Sequence, residues 1–312
     1  MHINGASAAS YTAMSQVATY SSVKPVYPKN LSSIDIDYKI NALENMDVLA
    51  GPNCWGTIAF ILGITPSLRY ISEIEFNDFV KQSHIINYNN GQVLPDGAVL
   101  CVWNNQRGFV AYNHVSLVID GRQDKLYEKS GPNKDDKLKF SSLAEILSEA
   151  ESLTCSKINI VNSLEQKSPG KYVTLLDFSE VNSSQGSELE DLLFTYHMEG
   201  NIINKTSVLH MLDVYRREIT KITNPRELSL SEGVFYLLQS MNSELNELQQ
   251  EYLSTKDKTL AKKLMGYSSL RAIIDNEIIN IVSNTQEYRR SLNPQVINAP
   301  TLTDYDSQLT KK

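Results

Sequence analysis

Apolar residues recur along this chain with two different periods, and the change falls near residue 180. Before it, short runs alternate or are wholly apolar, as strands do. After it, apolar residues return every three or four positions, as in amphipathic helices. Residues 98–103 (AVLCVW) form an apolar run behind Pro95, Asp96 and Gly97, a turn triplet. Residues 113–120 alternate, with Val115, Leu117 and Ile119 on one face and His114, Ser116 and Val118 on the other. Residues 125–130 (KLYEKS) alternate again, and Asp120-Gly121 predicts a hairpin turn between the two runs. Two more strands are expected at 157–163 and 171–178, separated by a Ser-Pro-Gly turn.

Helices in this half are marked by their punctuation. In GPNCWGTIAFILGITP, Gly51 and Pro52 break the chain, Asn53 takes the cap position, and Gly63 with Pro66 ends the run. A second helix is expected at 72–83, where Ile74, Phe79 and Val80 supply an apolar side. Ser142 and Glu145 form a capping box opening a short helix, and residues 33–49 read as a short helix or an irregular packing segment. Beyond residue 183 four helical patterns follow, two of them opened by S-x-x-E boxes at Ser187/Glu190 and Ser229/Glu232. Val234, Leu237, Leu238, Met241, Leu245, Leu248 and Tyr252 line one of these helices, and Leu270, Ile273, Ile274, Ile278, Ile281 and Val282 line the last. The chain thus divides into a mobile or extended lead-in at 1–34, an α/β unit at 35–180, a helical bundle at 181–293 and a polar tail at 294–312.

Charge narrows the class of protein. Twenty-nine Lys and Arg against 36 Asp and Glu give a net charge of −7, without the basic stripe of a nucleic-acid-binding chain. No run approaches the roughly 18 apolar residues of a membrane span. Three cysteines without CxxC spacing suggest neither a disulfide framework nor a zinc or iron–sulfur centre, and no cofactor or metal is expected. The first 20 residues lack a basic n-region and an apolar h-region, so the compartment stays open.

Candidate chemistry lies in the N-terminal half. Cys54 follows Asn53 at the start of a predicted helix, where the positive end of the helix dipole favours the nucleophilic thiolate. The blander use of such a cysteine is as a small buried apolar residue. Trp55 is placed to shield one side of a site. His114 opens a strand on the face opposite Val115 and Leu117, where an imidazole can reach a neighbouring helix start and act as base. Glu128 on the next strand can orient that ring, with Asn133 or Asp120 as substitutes. His84, His197 and His210 have no partners at metal-ligand spacing, while Cys101 reads as core and Cys155 as inert.

The residues NCW, LPDGAVLCVW, NHVSLVID and LYEKSG, in this order, resemble the papain-like cysteine hydrolases of bacterial type, NlpC and CHAP peptidoglycan hydrolases nearest. The likeness covers roughly residues 45–135. The turn reads PDG where PGD is usual. The Cys-Trp pair is nearer to papain, and a glutamate in third position is nearer to CHAP than to the NlpC histidine. The resemblance implies an α+β fold, a papain-like antiparallel sheet packed on a Cys-bearing helix, here followed by the all-α bundle. It implies a Cys54–His114–Glu128 triad that cleaves an amide through a thioester acyl-enzyme, with the Cys54 N–H and a side chain holding the oxyanion. Asn53 and Trp55 are the neighbouring candidates there, and Tyr38 and Asn45 lie upstream. Peptidoglycan stem peptides are the substrate class suggested, which would place the protein outside the cell or in the periplasm. A thiol protease, a deamidase or a transglutaminase-like acyltransferase would use the same triad. A non-catalytic fold that binds a protein partner through its helices is the reading from another class.

Overall fold

The structure, a computed structural model, describes residues 24–45, 51–89, 91–106, 109–132, 136–152, 158–162, 170–198 and 205–292. The lead-in up to residue 23, Asn133, Lys134, Asp135, Cys155 and the tail lie outside the described residues. The architecture is mixed α and β, with six strands pairing antiparallel in the order β1-β7-β2-β3-β4-β5. These are β1 (His84–Ile85), β2 (Val99–Gln106), β3 (Phe109–Asp120), β4 (Lys125–Lys129), β5 (Leu138–Ser141) and β7 (Gly170–Asp177). A seventh, β6 (Asn159–Ile160), runs parallel to β7.

Both faces of the sheet are covered, which explains why 98–103 is apolar throughout rather than alternating. Val99, Cys101, Trp103, Val115, Leu117 and Tyr127 join a core with α1 (Ser33–Glu44), α2 (Cys54–Ile61) and α3 (Glu73–Gln82). Leu100, Val102, Val118 and Leu126 face the other way, onto Ile146 and Ala150 of α4 (Leu143–Ser152). The face assigned to Val115 and Leu117 is therefore the core face of the helix-bearing side. Of residues 33–49, Ser33–Glu44 form α1, capped by a reciprocal Ser32–Asp35 box, and 46–49 lie outside the described residues. The strand expected over 157–163 is confined to β6 among the described residues.

Two local expectations are corrected. The β3–β4 connection is a four-residue loop, Gly121 to Asp124, not a two-residue turn. Asp120 accepts from the N–H groups of Arg122 and Gln123, and Asp124 takes φ 52°. The S-x-x-E match at Ser229 is helix interior. Pro225 already provides the first helical turn, Asn224 caps it, and Ser229 and Glu232 are both buried. The Ser187–Glu190 box is real, with both reciprocal bonds present.

The helical half consists of α5 (Glu188–Met198), α6 (Lys205–Glu218), α7 (Pro225–Thr255) and α8 (Lys258–Leu292) around their own core. It meets the sheet-bearing half around residues 69–75 and where Phe60 of α2 packs on Phe194 of α5. Arg69, fully buried, holds Glu75 in a two-pronged pair (2.6 and 2.8 Å) and reaches Glu190 of α5 at 2.6 Å. Arg226 of α7 meets the same Glu190 at 2.9 Å. The Ser72 N–H donates to Ser229 at 2.8 Å, and Tyr70 stacks on Tyr236. Replacing Arg69 with Met should lower unfolding free energy by about 3–5 kcal/mol, because Glu75 loses its buried counter-charge and Glu190 is left with Arg226 alone. Urea denaturation of the full chain checks this. An Arg69→Met midpoint equal to wild type would contradict it.

Candidate active site

Cys54 is the first residue of α2, and what fixes it there is Asn53. The Asn53 side chain accepts from the N–H groups of Gly56 (3.0 Å) and Ile71 (3.3 Å) and donates to the Ile71 carbonyl at 2.7 Å. That clamp needs close approach. A Cβ on Gly56 would come within 1.8 Å of the Arg69 carbonyl oxygen, so only glycine fits at this point of the helix. The Asn53 amide is engaged on three backbone groups and serves the helix start. Trp55 turns toward the core, its ring stacked on Phe76 at 5.4 Å. Upstream, Asn45 donates to Asn41 at the end of α1, and Tyr38 is exposed.

The strands bring the other two residues to Cys54. A bulge between Val102 and Trp103 places one extra residue in β3 directly before His114. Such an insertion increases local twist and re-aims the side chain beside it. Pairing of β3 with β4 sets Leu117 against Tyr127, and Glu128 thereby comes beside His114 and Ser116. His114 Nε2 lies 2.5 Å from Glu128 Oε2, and the ring is near enough to Cys54 for the thiol to raise its pKa. Cys54, His114 and Glu128 thus form one continuous chain from α2 through β3 to β4.

Electrostatics tie the three together. Burial alone would lower His114, but its bonds to Cys54 and Glu128 and their charges raise it from 6.5 to about 10. Burial alone would raise Glu128, but His114, then Ser141 and Lys139, hold it down from 4.5 to about 2. The carboxylate is 2% exposed and has a partner on every side. Besides His114 it accepts from Ser116 at 2.9 Å, Ser141 at 2.7 Å and Lys139 at 3.1 Å. Of these, Ser141 and Lys139 escaped the reading of the sequence. Their strand, β5, was not foreseen, although LKFS does alternate.

The remaining candidates lie elsewhere. Asp120 ends β3 and caps its own loop. His84 is exposed and pairs with Glu180 at 3.1 Å, and His210 is exposed on α6. The His197 side chain falls outside the described residues. Cys101 is fully buried in the core, its thiol pushed up by burial and by the charge of Cys54. Among the described residues no three His, Cys, Asp or Glu side chains converge as a metal site. No helix among them is long and apolar enough to cross a membrane. No family model matches the chain, and neither does any curated protein or solved structure.

These shifts give stability a pH dependence with opposite signs at the two ends. The raised His114 stabilises the fold fully below about 6.5, and that contribution is lost as pH rises through about 10. The lowered Glu128 stabilises it above 4.5, and that contribution is lost as pH falls through about 2. Glu128→Gln should lower the His114 midpoint by about 1–3 pH units, since it removes the facing charge. Titration of the His114 ring by NMR reads this directly, and an unmoved midpoint would contradict the pairing.

Proposed function

We propose that this chain is a papain-like cysteine hydrolase that cleaves amide bonds through Cys54, His114 and Glu128. One observation carries the reading: the first residue of α2 is a cysteine that acts electrostatically on a histidine whose Nε2 meets a buried carboxylate. The antiparallel sheet bearing His114 and Glu128 on adjacent strands supports a papain-like fold for this half.

The chemistry follows from those positions. Cys54, as thiolate, attacks the carbonyl carbon of the amide, and the π electrons move onto oxygen. The Cys54 N–H at the helix start is placed to stabilise that oxyanion. Collapse of the intermediate breaks the C–N bond as His114 gives its proton to the departing amine, leaving a thioester on Cys54. Water, deprotonated by His114, then attacks the thioester, and the carboxylic acid leaves as the thiolate returns. Throughout, Glu128 holds the ring and its charge without taking the proton.

The NlpC and CHAP likeness supports peptidoglycan stem peptides as the substrate class. The test is incubation of the full chain with peptidoglycan fragments, with mass spectrometry of the products. New free amines are expected with wild type, and a thioester adduct on Cys54 under rapid quench. Cys54→Ala should abolish cleavage, and Glu128→Gln should lower kcat by about 10²–10⁴-fold. Cleavage that survives in Cys54→Ala would overturn the mechanism. Release of ammonia from protein glutamine, with stem peptides untouched, would move the assignment to deamidation.

A further inference from the structure

Lys129 ends β4, next to Glu128, and its side chain is wholly buried. Alternation along β4 puts the two on opposite faces. Glu128 lies with Leu126, and Lys129 lies with Tyr127, which packs in the core shared with Cys54. The Lys129 ammonium donates to the Gly131 carbonyl. Asp136 closes over the same turn, for a Cβ on Gly131 would meet its Oδ2 at 2.6 Å. The turn is itself fastened to the segment before α2, since the Gly51 N–H donates to the Pro132 carbonyl at 2.7 Å. A buried cation is thus held at the foot of the helix that opens with Cys54.

We propose that Lys129 is a positioning residue for the nucleophile: a fixed buried cation that, from the face opposite Glu128, stabilises the Cys54 thiolate alongside His114. This rests on the reading of Cys54 as nucleophile. A lysine is costly to bury and is retained inside a fold only with compensation. Burial lowers Lys129 to about 8, against the opposing pull of Asp136 and Cys54, so it is predominantly charged at neutral pH. Attraction is mutual: what Cys54 does to Lys129, Lys129 does to Cys54. Among the described residues, His114 of β3 and Cys101 of β2 also couple to Cys54, the latter held as a neutral thiol, and Asp136 faces Lys129. β4 therefore acts on the nucleophile from both faces, through His114 by way of Glu128 and directly by way of Lys129.

The experiment is the pH dependence of iodoacetamide alkylation at Cys54, by peptide mass spectrometry on the full chain. Lys129→Met should move the Cys54 midpoint upward by about one pH unit, a tenfold loss of rate below it. Lys129→Arg, keeping the charge, should stay with wild type. Cys101 should remain unreactive in all, which certifies the fold. A folded Lys129→Met protein with the wild-type midpoint would overturn the inference. His114→Ala tests the underlying reading separately, because a midpoint indifferent to His114 removes the nucleophile whatever Lys129 does. Should Lys129→Met fail to fold, wild type suffices. Capping Cys54 with iodoacetamide should lower the Lys129 midpoint followed by NMR of ¹³C-labelled lysine, and an unmoved midpoint would overturn the inference equally.

Discussion

A carboxylate removed from water is tolerated in a fold only where donors meet its lone pairs, and Glu128 has them. His114 and Ser116 reach it from β3, and Ser141 and Lys139 from β5. β4 must therefore lie between those two strands in one register, with Leu117 opposite Tyr127 and Glu128 opposite Lys139. A slip of one residue would turn Glu128 onto the α2 side and offer Lys129 to the donors in its place. The condition that satisfies the buried charge is the condition that aligns His114. Sheet register and the alignment of His114 with Glu128 are one constraint.

Cys54, the proposed nucleophile, is fixed from the other direction. Asn53 latches the start of α2 to Ile71, and Gly56 lets the helix press against the Arg69 carbonyl. Arg69 then passes the connection outward through Glu75 and Glu190 to α5 and, by Arg226, to α7. The long helices thus hold the segment on which Cys54 depends. This gives the helical half a structural part in the site even though it contributes no side chain to the triad.

Much of this was legible in the chain. Asn53 announced the helix start because a short side-chain oxygen can cap only there, and the alternation around His114 and Glu128 announced their faces. Local chemistry writes such signals locally. The misread places are those where distant partners decide. Ser229 and Glu232 look like a cap in isolation, yet Asn224 and Pro225 begin the helix earlier. Ser229 is buried against Ser72, 157 residues away in sequence. Nothing around Asn53 in sequence shows that its side chain is also tied to Ile71, 18 residues on. Lys129 and Lys139 look like solvated charges in KLYEKS and KLKFS, since nothing in their neighbours reveals a buried anion on one side and a thiol on the other. Three-dimensional charge pairing has no period in sequence.

The claim on which the rest turns is that Cys54 and His114 form a thiolate–imidazolium pair in the resting protein. Ultraviolet absorbance of the thiolate, followed across pH in wild type, Cys54→Ala and His114→Ala, measures it most directly. A thiolate signal that depends on His114 should be present in wild type and lost in both variants. Absence of that signal in wild type, or its persistence in His114→Ala, would contradict the account.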